Sequence, residues 1–245
     1  MFHNRLIRFA SLGLTTGFIS ACAVGNVAPV ATPSHFAINY KGAGTVAVAV
    51  RDQRKEVLDG SRKETVVGRQ RSLYGIPYSV TNASGRPFAA DFSDLVVNGL
   101  TANGVKAQTV LVSPLQREDD AIAALIATGS NRNLFFNVVE WNADTYNRTT
   151  LHYDIKLSVL DSKGYVLGQT ALAGEDVLGK GRLERVDMPT ATADIIQSLL
   201  TTKPIVAALQ PDAIASTKNC TVNQILKMQE SGLAKQQIEA ACPTR

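Results

Sequence analysis

From Thr45 to Arg51 the chain alternates valine with alanine, setting Val46, Val48 and Val50 against Ala47 and Ala49. Valines on one side and small residues on the other predict a buried strand. Phe88, Phe92, Leu95, Val96 and Leu100 recur at helical spacing and predict a helix with one apolar stripe, ended by Asn103-Gly104. Val105 to Val112 reads as a strand. Leu115 to Ala127 reads as a second helix, with Ile122, Leu125 and Ile126 facing inward and Glu118, Asp119 and Asp120 near its positive end. Asn133 to Trp141 carries Leu134, Phe135, Phe136, Val138 and Val139 and predicts another strand. The clearest strand is Leu151 to Leu160, where Tyr153, Ile155, Leu157 and Val159 alternate with Asp154, Lys156 and Ser158, giving one wet face. Asp161-Ser-Lys-Gly164 forms a hairpin turn, and Tyr165 to about Val177 returns. Pro189 opens a helix carrying Ile195, Ile196, Leu199 and Leu200; Pro204 breaks it, and a short segment through Leu209 follows.

Between these elements the pattern fails in places. Residues 51–86 hold eight basic side chains and four acidic ones and read as an exposed loop or irregular hairpin, closed by a turn at Asn82-Ala-Ser-Gly85. Gly179 to Val186 is a second charged loop. The order strand, helix, strand, helix, strand, strand, strand, helix predicts an α/β (α+β) domain over 44–210. Its expected form is a mixed sheet of about five strands with helices packed on it. Residues 211–245 read as a linker and a small C-terminal helical hairpin. Thr221-Val-Asn-Gln224 has the form of a capping box, Gly232 stops the first helix, and Leu233 to Ala241 makes the second. Neither helix would be stable alone in water.

The N-terminus changes the picture. Arg5 and Arg8 form a basic stretch, Phe9 to Phe18 a modest apolar one, and Ile19-Ser20-Ala21-Cys22 follows. This is the three-part layout of a secretory signal, too short to span a bilayer, and its end resembles a bacterial lipobox. The expectation is a signal peptide over 1–21, with Cys22 as the first mature residue and the bearer of diacylglycerol and acyl chains. Such chains, at roughly 0.8 kcal/mol per buried methylene, make a lasting anchor. Ala23, where an Asp would retain the protein in the inner membrane, points to the outer membrane with the domain facing the periplasm. Residues 22–43, with Pro29, Pro33 and small residues, read as a flexible tether. Two cysteines remain, Cys220 and Cys242, and an even pair in an oxidising compartment reads as a disulfide. Closing the hairpin this way would contribute about 3 kcal/mol in the chain-entropy model.

Charge and chemistry add less. The formal charge of +4 falls by two when Arg5 and Arg8 leave with the signal, so a pI of about 9.0 gives no ground for a nucleic-acid partner. With His35 and His152 as the only mature histidines, no metal site or cofactor is expected. His152 falls on the wet phase of its strand. Asp52 and Arg54 directly follow the first strand, where α/β sheets often place ligand sites; the pair can also be a structural ion pair that fixes the loop, which is the preferred reading. Glu175 and Asp176 point to opposite faces of an extended chain and do not suit shared acid–base work. No catalytic residue is assigned. The remaining candidate contacts are Arg69, Arg71, Tyr74 and Tyr78, where aromatic surface interleaves with basic charge within reach of acidic envelope partners.

The main domain resembles the YajG family of small bacterial lipoproteins. The resemblance rests on the lipobox at Cys22, on Val50-Arg-Asp-Gln-Arg54, on Tyr74-Gly-Ile-Pro77 before the first helix, and on the helix end Leu100-Thr-Ala-Asn-Gly104. It covers roughly residues 45–205 and implies an outer-membrane-associated lipoprotein with no enzymatic site to carry over. The C-terminal pair resembles the helical-hairpin motif found at the ends of envelope proteins, but departs from it at Ala234. Such a hairpin can dock a partner or cap the domain. The expected function is a non-enzymatic, lipid-anchored module that binds or scaffolds an envelope protein or an anionic envelope component. The alternatives are an auxiliary subunit of a transport or secretion complex, and an envelope enzyme.

Overall fold

The computed structural model describes residues 26–28, 40, 44–181, 183, 186–211 and 213. The eight strands it contains are β1 (Asn26–Ala28), β2 (Thr45–Asp52), β3 (Val66–Arg71), β4 (Pro77–Asn82), β5 (Lys106–Val110), β6 (Arg132–Thr145), β7 (Arg148–Asp161) and β8 (Val166–Lys180). The helices are α1 (Lys55–Leu58), α2 (Phe88–Ala102), α3 (Glu118–Ile126), α4 (Met188–Leu200) and α5 (Lys203–Ala208). All strands join one mixed sheet, as the alternation of strand and helix patterns implies. Cys22, expected to carry the lipid, Cys220 and Cys242, expected to pair, and the expected C-terminal hairpin lie outside the described residues.

The valine–alanine alternation sets the layering. Val46, Val48 and Val50 join the main core with α2, α4, α5 and the inner faces of β6 and β7. Ala47 and Ala49 face the other way, where Ala121 and Leu125 of α3 pack with Phe135 and Leu160. Small alanines allow α3 to lie close to the sheet, while the larger valines fill the thicker layer. Strand β2 is bonded in parallel to β5 on one side and β6 on the other, so both its edges and both its faces are covered. In the main core Phe88, Phe92, Phe136 and Trp141 form one aromatic cluster, with Phe88 stacked on Trp141 at 5.1 Å between centroids.

Three strands exceed the five read from the sequence. Two of them, β3 and β4, make an antiparallel hairpin within the charged segment 51–86, which also holds the single turn of α1. The third, β1, falls within the stretch expected as a tether and pairs in parallel with β4, Asn26 opposite Val80. Strands β6 and β7 are longer than their apolar runs suggest and meet at a turn over Tyr146 and Asn147. Val139 is not a core residue: the register slips between Val138 and Glu140, and Val139 turns to solvent.

Along one edge β6 has two partners in series. Its first half pairs with β2 from Val46 through Asp52; its second half pairs with β3 over Gly68–Gln70 only. The last bond to the β2 side runs from the Gln53 amide to the Val138 carbonyl at 2.8 Å. Between the two partners lies a seam, where among the described residues no strand lies beside residues 139–142 of β6 on that edge. The other edge of β6 pairs with β7 throughout, and β7 pairs with β8.

Candidate functional site

Asp52 and Arg54 sit in the seam. Their side chains are 0% and 2% exposed. The Arg54 guanidinium donates from Nε to Asp52 Oδ1 at 2.8 Å and from Nη2 to Asp52 Oδ2 at 2.6 Å. The rest of it donates to three carbonyls: Val66 at 2.6 Å, Glu64 at 3.2 Å and Trp141 at 3.4 Å. Its flat face lies 4.9 Å from the Phe88 ring centre. Every polar atom of the pair is directed at the protein itself. Asp52 and Arg54 therefore link β2, β3, β6 and α2, and the structure places neither at a surface a ligand could reach. A second arginine, Arg62, donates to Asn142 Oδ1 at 3.3 Å beside the same seam and lies 3.5 Å from Glu56. Burial lowers its pKa, partly countered by Glu56.

Arg69 and Arg71 share one face of β3 and are half exposed. Arg69 lies 3.6 Å from Glu56. Arg71 donates to both oxygens of Asp144, at 3.2 and 2.6 Å, and that carboxylate raises its pKa. Tyr78 pairs with Gln70, not with Arg69 or Arg71, so its side chain belongs to the opposite face of the hairpin. The structure thus separates Tyr78 from the two arginines that the sequence set beside it.

Tyr74 is at the hairpin tip, with Leu73 and Ile76. The loop has a defined shape. The Gly75 amide donates to the Ser72 carbonyl at 2.9 Å, the Ser72 amide to the Ile76 carbonyl at 2.9 Å, and the Ser72 hydroxyl accepts from the amides of Tyr74 and Ile76. Gly75 takes a positive φ of 78°, as a four- or five-residue hairpin loop with a left-handed residue requires. Leu73 and Tyr74 occupy the two corners of this turn and are 96% and 91% exposed.

Beside Arg71 a cleft of about 560 Å³ opens between Asp144, Tyr146, Arg148, Thr150, His152 and Lys180. Arg148 and Lys180 face each other directly across β7 and β8. Like charges so placed repel, and among the described residues neither has an acidic partner. His152 stays on the wet face as its phase implies, 3.5 Å from Glu175. Asp176 points to the opposite face and, after burial, is the next cause of the raised pKa of Tyr153. Among the described residues no group of three metal-ligating side chains comes together, and no helix is long and apolar enough to cross a membrane.

The sequence singled out Arg71 and Tyr74 at this end of the molecule and missed Leu73, Ile76, Tyr146, Arg148 and Lys180. Leu73 and Ile76 carry a local signal, large apolar residues inside a glycine turn. The Arg148–Lys180 pairing joins residues of different strands and has none.

No family model matches the chain, and no curated protein matches it; the YajG resemblance is not shown by these comparisons. Solved structures do show similarity. A PelC dodecamer from Paraburkholderia phytofirmans is 13% identical with a TM-score of 0.41, over 70% of this chain and 93% of that one. A Xanthomonas campestris protein of family DUF330 is 12% identical with a TM-score of 0.37, over 86% of this chain and 100% of the other. Lipoprotein GNA1162 from Neisseria meningitidis is 13% identical with a TM-score of 0.27, over 64% and 94%. At such identities and scores these similarities carry no functional argument.

Proposed function

We propose that the protein is a lipid-anchored, non-enzymatic envelope module that holds an acidic partner against the outer face of β3, β6, β7 and β8. The observation that supports this most is the cleft beside Arg71. Arg148 and Lys180 confront each other there with no ion-pair partner of their own among the described residues, because Asp144, the carboxylate of the cleft, is engaged by Arg71. A protein gains nothing in stability from such a pair, whereas an anionic partner is drawn to it. The Ile19-Ser20-Ala21-Cys22 signal supplies the address.

Crosslinking in living cells, followed by purification through a C-terminal tag, tests the reading. The wild-type chain is expected in the membrane fraction together with an acidic envelope protein or anionic envelope component. Cys22→Ala is expected to leave that fraction, and Arg148→Glu with Lys180→Glu to lose the partner while staying membrane-bound. Unchanged co-purification in the charge-reversed chain would sink the binding surface.

A second reading, a subunit of a transport or secretion complex, is favoured by the sheet edge. Among the described residues β8 pairs with β7 alone, leaving the other side of a 15-residue strand open to a strand from a neighbouring subunit. Recovery of a stoichiometric protein assembly that survives the charge reversal would support it over the first.

A further inference from the structure

The end of the β3–β4 hairpin inverts the usual placement of apolar side chains. Leu73 and Tyr74 stand almost wholly in solvent and Ile76 is largely exposed, on a loop whose shape is fixed by the hydrogen bonds of Ser72 and Gly75. Tyr146, at the β6–β7 turn, is also exposed. Strands β3 and β6 run in parallel with Gln70 opposite Thr145, so both turns emerge from the same end of the sheet. Cations stand just behind them: Arg71, Arg148 and Lys180 line the cleft that Tyr146 also lines. An apolar and aromatic tip backed by cations suits a bilayer surface. Apolar and aromatic side chains of this kind partition to the boundary between headgroups and acyl chains, while cations behind them stay among the phosphates.

The direction of β1 says which bilayer. Strand β4 leads away from the tip, from Pro77 to Asn82, and β1 runs parallel to it with Asn26 opposite Val80. The N-terminal end of β1 therefore faces the tip. Cys22 is four residues before Asn26, which is at most about 14 Å of fully extended chain. Four residues back from Val80 along the neighbouring strand is Ile76, in the tip itself. Chain length thus limits the residue expected to carry the lipid to about 14 Å from Asn26, at the end of β1 that faces Leu73, Tyr74 and Ile76.

Resting on the reading of Cys22 as the lipid-bearing residue, we propose that this end of the sheet is a second contact with the membrane that holds the lipid. Leu73, Tyr74, Ile76 and Tyr146 enter its interfacial layer, and Arg71, Arg148 and Lys180 meet its anionic phosphate headgroups. The domain then stands on the bilayer in one orientation, with two points of attachment, and the acidic partner of the cleft is the lipid surface.

The test uses the full chain carrying Tyr74→Trp. The protein is purified from membranes and reconstituted into vesicles of phosphatidylethanolamine and phosphatidylglycerol, some of them brominated near the headgroup end of the acyl chain. Trp141, the one native tryptophan, is 1% exposed and gives a constant background. The expected result is flotation with the vesicles, a blue-shifted emission from position 74, and roughly twofold quenching by the brominated lipid. Leu73→Ser with Ile76→Ser, or Arg148→Glu with Lys180→Glu, should weaken that quenching without preventing flotation. Flotation with an unquenched, red-shifted tryptophan would overturn the inference while leaving the anchor intact. Failure to float would refute the anchor, and this second contact with it.

Discussion

Arg54 shows how one side chain can close a gap that the backbone leaves. Its guanidinium fills the seam where β6 changes partner, satisfies the Trp141 carbonyl there, and reaches Val66 and Glu64 beyond it. With both members of the pair enclosed, removing one leaves a buried charge without its partner, which costs about 3–5 kcal/mol. Arg54→Met and Asp52→Leu should each lower the unfolding free energy by that amount in urea titrations. The double variant should be less destabilised than the sum of the two, because no uncompensated charge remains. Arg54→Lys should not restore the loss, since an ammonium cannot span both Asp52 oxygens and the carbonyls opposite. A double variant that is fully additive would mean that the carbonyl contacts, not the ion pair, hold the seam.

At the scale of elements, the fit of α5 against β8 depends on the absence of a side chain. A β-carbon built on Gly168 would come within 2.5 Å of the Pro204 carbonyl and 2.9 Å of the Ala208 methyl group. The first of these is backbone and cannot rotate away. Gly168→Ala should therefore push α5 off the sheet and cost about 1–3 kcal/mol, read as a lower thermal midpoint. The nature of such positions explains what the sequence reveals and what it conceals. Strand β2, the stripe of α2 and the alternation of β7 were legible because apolar residues recur at their buried positions with the period of the element. Strand β3 was not, since Gly68 and Gln70 fill the buried positions that follow its valines while Arg69 and Arg71 face out. The far half of β6 hides in the same way, with Ala143 and Thr145 as inward residues. Of the candidate site, Asp52 and Arg54 were legible as a pair because they are two residues apart. Arg148 and Lys180 become neighbours only through the register of two long strands.

On the scale of the whole molecule, the sheet is covered unequally. Helices α2, α4 and α5 share the face lined by the valines, while α3 alone lies over the alanines. Among the described residues no helix covers the outer face of β6, β7 and β8 beyond α3, and the cleft and the exposed tip both adjoin it. The seam divides this body into parts of unequal grip. β2 is fastened to β6 over seven residue pairs, the β3–β4 hairpin over three, with arginines between them. A unit joined by so few ladder bonds is one that can open while the remainder stays folded. Backbone amides of β3 and β4 should accordingly exchange with deuterium through a partial opening, well before those of β2 and β7 exchange through global unfolding. In Arg54→Met the gap between the two rates should widen, with the β3–β4 amides accelerating most. The hairpin would then behave as a compliant foot on a stiff body, able to follow a fluctuating surface without transmitting each displacement to the core.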